Sequence, residues 1–331
     1  MHLPGSRAAV RSLALGVALG VIAAACSAQI TPSGRTPSGP PSGPPSSPPS
    51  SPPSATPFKV GSAPFIPQIV SSETVVGRDR FLLGILDPTG TKPIGGPDSV
   101  VTVGFSTGTG PTPTIPAAPA RFVQAIPGEL GRGIFVVDVT FTAAGDWTAN
   151  VTSSGPGIPA GTVQVPFQVA GKGSAVPVGG LAPATRTPTL PDVGGNLAEL
   201  STDANPDPNF YTTSVDEALR RHQPFVLVFA TPAFCTSRQC GPTLDGVKRL
   251  AKLEPAVVFI NVEPYQLSFT AGRLQPVLDV NGQLQATDVT RAWGILSEPW
   301  VFVVDRAGIV RGSFEAVFAP DELKASVDAV R

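Results

Sequence analysis

Three cysteines carry most of the reactive chemistry in this 331-residue chain: Cys26, Cys235 and Cys240. Thr236-Ser237-Arg238-Gln239 separates the last two. Two thiols at such spacing can work as a dithiol/disulfide couple, provided one is ionised and the other can displace it. On one continuous α-helix an i,i+5 pair lies about 140° apart, with Cα atoms roughly 8–9 Å from each other. A disulfide needs less than about 7 Å. Both cysteines therefore cannot be helical and bonded at once. Either a helix begins at or after Cys240 and Cys235 lies in a loop, or the site unwinds during turnover. Pro242 suits a first helical turn, where its missing N–H costs nothing. A thiolate at a helix N-terminus meets free N–H groups and the positive end of the dipole, which lower its pKa. Arg238 is a cation placed to stabilise either thiolate. A purely structural bond closing so short a loop would add only about 2 kcal/mol.

Other chemistries are poorly supplied. The chain has two histidines, His2 and His222, and one methionine, Met1. A histidine-ligated metal site needs more ligands than that, and neither metal nor cofactor is expected. A Ser-His-Asp or Cys-His mechanism would have only His222 to draw on after Met1–Ala25 is removed. Net charge is -1, without a basic patch, so a nucleic-acid partner is not expected.

The elements that must hold Cys235 and Cys240 lie in residues 211–331. Ser214-Val215-Asp216-Glu217 is a capping box that opens a short helix to Arg221. Phe225–Ala230 is a continuous apolar run, as in a strand buried on both faces. The cysteine loop comes next, then a helix from about Pro242 to Leu253. Ala256–Val262 is a second buried strand, Pro276 to Gln285 a loop, and Asp288–Trp293 a short helix. Trp300–Val304 and Ile309–Phe314 flank a turn at Arg306–Gly308, and Pro320 to Val330 closes the chain as an amphipathic helix.

Upstream the composition changes. Over the whole chain Pro and Gly number 39 and 35, and charged residues are 14%, against a typical level of about 25%. Arg7 and Arg11 precede the apolar run Leu13–Ile22 and the small residues Ala23-Ala24-Ala25, giving residues 1–25 the form of a secretory signal. The run is too short to span a bilayer comfortably. Residues 26–57 combine Cys26 with PPSG and PPSS units and are expected to be an extended stalk. Residues 58–170 read as all-β, with runs at Phe65–Val70, Phe81–Leu86, Val100–Phe105, Arg121–Ile126, Ile134–Phe141, Trp147–Thr152 and Val163–Val169. About seven short strands with Gly/Pro turns suggest an immunoglobulin-like sandwich, with Trp147 in its core. Residues 171–210 return to Pro and Gly and read as a second linker, its last part packing on the next domain.

Cys26 after small residues resembles a bacterial lipobox, although Ala23 stands where Leu or Val is preferred. That resemblance implies a lipidated Cys26, a membrane partner through the lipid, and a place in the cell envelope on the outer face of the cytoplasmic membrane. Residues 211–331 resemble the thioredoxin-like superfamily through Phe229-Ala230-Thr231-Pro232-Ala233-Phe234-Cys235, Cys240-Gly241-Pro242, Pro299 before Trp300–Val304, and Asp305-Arg306-Ala307-Gly308. The fold class expected is therefore multidomain: an all-β immunoglobulin-like sandwich followed by an α/β thioredoxin-like fold. What the resemblance implies is a monomeric thiol–disulfide oxidoreductase acting on protein thiols or disulfides, with a cis-proline at Pro299 that leaves backbone groups free for a bound peptide. Cys235 is read as the attacking thiol and Cys240 as the resolving one. The reverse stays open, because Cys240-Gly241-Pro242-Thr243 is similar to the family's CGPC. Four residues between the cysteines, instead of two, depart from the pattern. Phe234 replaces a Trp, and Val228 falls where many members bury an acid. Glu298 stands where a small or β-branched residue is usual, and either replaces that acid or is a surface Glu. Thr231-Pro232-Ala233-Phe234-Cys235-Thr236 also resembles Q-type peroxiredoxins, one residue longer, which implies a peroxidase as the alternative. A non-enzymatic envelope scaffold with a structural disulfide is the third reading.

Overall fold

Alternation of apolar and polar residues builds the first half of the described chain. A computed structural model describes residues 63–107, 114–126, 128–129 and 131–331. The expected signal segment, Cys26 and the stalk lie outside the described residues. Strands β1 (Ile66–Ile69), β2 (Gly77–Leu86), β6 (Gly133–Phe141) and β5 (Arg121–Gln124) form one antiparallel sheet in the order β1-β2-β6-β5. Strands β4 (Ile115–Pro119), β3 (Val101–Thr107), β7 (Gly145–Ser153) and β8 (Gly161–Val169) form another, β4-β3-β7-β8. Every second residue of β2, β6, β3 and β7 points into one shared core. Phe81, Leu83 and Ile85 meet Phe135, Val137, Phe141, Val103, Phe105, Trp147 and Val151 there. The Phe105 ring lies edge-on to Phe81 at 5.1 Å and to Phe141 at 5.2 Å. Burying one such ring contributes roughly 1.5–3 kcal/mol.

The second half is built on a sheet covered on both sides. Strands β9 (Phe225–Phe229) and β10 (Val258–Val262) run parallel; β13 (Trp300–Val304) and β14 (Val310–Glu315) complete the order β10-β9-β13-β14, with β13 antiparallel to both β9 and β14. Successive residues of β9 enter different cores. Val226 and Val228 pack with Leu244, Val247 and Leu250 of helix α2 (Cys240–Ala251) and with Leu323 and Val327 of α4 (Pro320–Asp328). Phe225, Leu227 and Phe229 pack with Val215 and Ala218 of α1 (Val215–Arg220) and with Val289 and Trp293 of α3 (Asp288–Trp293). All five residues of β9 and of β13 are buried, which explains their unbroken apolar character.

The expected class, an all-β immunoglobulin-like sandwich followed by an α/β thioredoxin-like fold, is corrected by these elements. Among the described residues β structure predominates, 37% strand against 17% helix including short 3-10 turns, in four small sheets with four α-helices. The helices are short: six, twelve, six and nine residues. Punctuation is the physical reason. Gly294, at φ 67°, stops α3 in the left-handed conformation, and its own N–H closes onto the Thr290 and Arg291 carbonyls. An extra hairpin, β11 (Leu267–Thr270) with β12 (Arg273–Pro276), turns at Ala271-Gly272, both with positive φ.

Residues 171–210, read as a linker, cross the second half closely. Val176 and Ala182 pack against the α1/α3 core, and Leu181 bridges to Ile309. Thr187 is fully buried, and its hydroxyl accepts the Val215 N–H at 3.1 Å. The two halves meet where Glu73 accepts the Ser174 N–H at 2.6 Å and, more extensively, along residues 315–322. Val317 packs with Leu82, Val123 and Val136 of the first sheet. Arg80 forks onto Glu322 at 2.7 and 3.0 Å. Glu315 accepts the Ser72 N–H at 2.9 Å and the Ser297 hydroxyl at 2.7 Å.

Candidate functional site

The C-terminal end of β9 delivers the chain to the cysteine loop. A turn at Thr231–Phe234 closes with the Phe234 N–H on the Thr231 carbonyl at 3.1 Å. The N–H of Ala233 is held by the Thr202 hydroxyl at 3.2 Å. A second turn leads from Cys235 through Arg238, whose backbone is left-handed at φ 61°, to the helix. Helix α2 begins at Cys240, and its first full-turn bond runs from the Thr243 N–H to the Gln239 carbonyl at 2.9 Å. Pro242 therefore lies in the first turn, where no donor is missed.

Cys235 and Cys240 are joined in a disulfide, with Cα atoms 6.0 Å apart. Of the two geometries that the spacing allowed, the helix beginning at Cys240 with Cys235 in a loop is the one adopted. Cys235 is half-buried, whereas Cys240 is fully buried in the α2 core. The Cys240 N–H, a free donor of the helix start, points at Cys235 Sγ from 3.2 Å. The Ser237 hydroxyl lies 3.3 Å from the same sulfur. Arg238 is exposed and makes no hydrogen bond to either sulfur.

The Glu298–Pro299 peptide bond is cis and faces this loop. A Glu298 carboxylate oxygen and the two sulfurs all lie within 4.8 Å of one another. Burial raises the Glu298 pKa; the Tyr265 hydroxyl and the Thr236 N–H draw it back only in part. Tyr265 donates a short hydrogen bond to Glu298 Oε2. Burial and that carboxylate push the Tyr265 phenol above its ordinary value. Cys235, Cys240 and Glu298, three of the candidate residues, thus lie together, with the fourth, Pro299, bonded to Glu298. The free backbone groups implied beside the proline are largely occupied. Pro299 gives its carbonyl to the Ala316 N–H at 2.9 Å, and the Ser237 hydroxyl donates to the Glu298 carbonyl at 3.4 Å.

His222 lies at the other end of β9, its Nδ1 3.3 Å from the Arg306 carbonyl. Val228 is apolar, but its carbonyl accepts from Asn261 Nδ2 at 3.1 Å, and Asn261 Oδ1 accepts the Tyr211 hydroxyl at 2.6 Å. The buried acid of this region is Glu263, which the sequence reading passed over. It comes directly after β10 and accepts the Thr202 N–H at 2.6 Å. Burial pushes its pKa up to about 7, against the lowering effect of the Thr231 hydroxyl and the Thr202 N–H. Its Oε2 is buried without a partner. A polar Asn261 inside an apolar strand, with an acid two residues later, was the available signal.

A cavity of about 610 Å³ opens between β5 and α2, lined by Phe122, Pro242, Gly246 and Phe318 among others; neither sulfur reaches it. Among the described residues no helix is long and apolar enough to cross a membrane. No known family model matches the chain, and no curated protein is significantly similar to it. What the geometry shows is a cysteine pair compatible with a Cys-x4-Cys redox motif.

Proposed function

We propose that the chain is an extracytoplasmic thiol–disulfide oxidoreductase, tethered through a lipid on Cys26 to the outer face of a membrane. The observation that carries this reading is the asymmetry of the two sulfurs: the half-buried Cys235 Sγ receives the Cys240 N–H at the start of α2, and Cys240 is fully buried. Once the pair is reduced, a thiolate at Cys235 keeps that N–H and the helix dipole, so it is the better nucleophile. It attacks a substrate disulfide and forms a mixed disulfide, while the substrate's other sulfur leaves as a thiolate. Cys240 then attacks Cys235 Sγ, which restores the internal bond and expels the second substrate thiolate. Two electrons pass to the substrate per cycle; the reverse sequence oxidises a substrate dithiol. Glu298, beside both sulfurs, takes the proton that a thiol loses.

Insulin reduction driven by dithiothreitol tests the reading. The parent protein turns over, Cys235→Ser is inactive, and Cys240→Ser accumulates a mixed disulfide visible by mass spectrometry. A parent protein that neither reduces insulin nor refolds a scrambled substrate overturns the proposal. Glu298→Gln shifts the pH profile of turnover; an unchanged profile removes Glu298 from the mechanism and leaves the cysteine pair.

A further inference from the structure

We propose that the reduced form of this site is a binding site for a thiophilic divalent cation of the zinc class, with Cys235, Cys240 and Glu298 as its three protein ligands. The inference shares with the proposed function only the premise that the disulfide opens; it needs no substrate protein and no turnover.

Three observations carry it. The donor set is two sulfurs and one carboxylate, a mixture that suits zinc and its soft neighbours and disfavours calcium or magnesium. The three donor atoms lie within 4.8 Å of one another with the bond closed. A tetrahedral zinc with bonds of about 2.0–2.3 Å sets its ligands roughly 3.3–3.8 Å apart, so small side-chain movements on reduction suffice. Finally, the groups around the donors are already arranged. Tyr265 holds Glu298 Oε2, and the Thr236 N–H also reaches the carboxylate, so its orientation is set from two sides. The Cys240 N–H, 3.2 Å from Cys235 Sγ, steadies a metal-bound thiolate in the same way. Outer hydrogen bonds of this kind orient ligands and raise affinity.

The chemistry balances simply. A dithiol donor gives two electrons and two protons to the Cys235–Cys240 bond and becomes a disulfide. The cation then replaces the two thiol protons, binds the carboxylate, and keeps a water in its fourth position. Oxidation of the pair by a disulfide takes the two thiolates away as ligands and releases the cation. The site therefore holds metal only in the reduced state.

Cobalt(II) is the probe, because thiolate-to-cobalt charge transfer gives an absorption band. The full-length protein, reduced and freed of reductant under anaerobic conditions, should bind one Co²⁺ with that band, and Zn²⁺ should bleach it. The oxidised protein should show none. Glu298→Gln should weaken Zn²⁺ binding by about 10-fold or more and Tyr265→Phe by about 10–100-fold, each judged beside its circular dichroism spectrum. Absence of the band in the reduced parent overturns the proposal. So does equal Zn²⁺ affinity in both folded variants, since a bare dithiol would then explain the binding. Insulin reduction by metal-free protein reports separately, so either proposal can fail without the other.

Discussion

The two halves of the molecule handle buried polarity differently. Between the two antiparallel sheets of the first half the core is Phe, Val, Leu, Ile and Trp, and the buried polar residues there are hydroxyls: Thr74, Ser106, Thr148 and Ser153. The second half buries Glu254 and Asn261 as well, and places Glu263 under the cysteine loop. Gln239 and Glu263, both near that loop, each hold a buried oxygen without a partner. Such groups cost free energy wherever they sit. Such atoms are not confined to the loop, since Arg80 Nη1 in the first half and Gln223 Oε1 at the opposite end of β9 are also buried without a partner. What distinguishes the second half is that it gathers Gln239 and Glu263 beside Cys235 and Cys240, where it gives some stability up.

That contrast can be attacked directly. The largest effect should come from Phe105→Ala, which empties the ring stack of the first half and should cost about 3–5 kcal/mol in urea unfolding. The reduction potential of the cysteine pair should stay where it is; a potential that moves with Phe105 would show that the halves are not separate in this sense. Next in size is Glu263→Gln. The folded pKa of about 7 lies above the ordinary 4.5, so the folded chain holds more protons than the unfolded chain between those values. Stability should therefore fall as pH rises through that window, with no penalty below it. Glu263→Gln should remove the fall and gain up to about 3 kcal/mol above pH 7, read as the difference between unfolding at pH 4.5 and pH 8. A loss of stability at pH 8 would place Glu263 among the stabilising groups. Smaller still is Glu322→Ala at the junction, where Arg80 and Arg121 lose their partner; about 1–2 kcal/mol is expected, because the pair is only partly withdrawn from water. The smallest is the exposed Arg220–Asp216 pair of α1, for which a double-mutant cycle should return about 0.3–0.5 kcal/mol.

How much of this was legible in the sequence depends on the physical quantity each signal measures. Apolar runs between Gly/Pro clusters located the strands of the first half, except β4. Its Ile115-Pro116-Ala117-Ala118-Pro119 has neither alternation nor a run of branched side chains, and its prolines mark it as an edge that pairs with β3 alone. The β11–β12 hairpin carried an Ala271-Gly272 turn, but its strands are half-exposed and too short to show a period. Pro-rich residues 171–210 looked like a spacer because composition reports backbone stiffness and says nothing of what the side chains touch; Thr187, Thr189 and Leu200 are buried there. The steric limit on five-apart cysteines narrowed the helix start without fixing it: it allowed a start at or after Cys240, Pro242 pointed two residues later, and α2 begins at Cys240. The class of fold was not legible, since short capped helices beside long apolar strands carry the same local signals as full helical layers.

One detail of the junction reaches further. Ala316, at φ 58°, gives its N–H to Pro299 and takes the Thr243 hydroxyl on its carbonyl at 3.0 Å, while the next residue, Val317, is gripped by the first sheet. The strip of chain that braces the proline bend against α2 is thus the strip on which the upstream sheets are mounted. Cutting the protein near residue 171 would unmoor that brace along with the mounting. Calorimetry on the intact chain should accordingly register one cooperative melt in place of two.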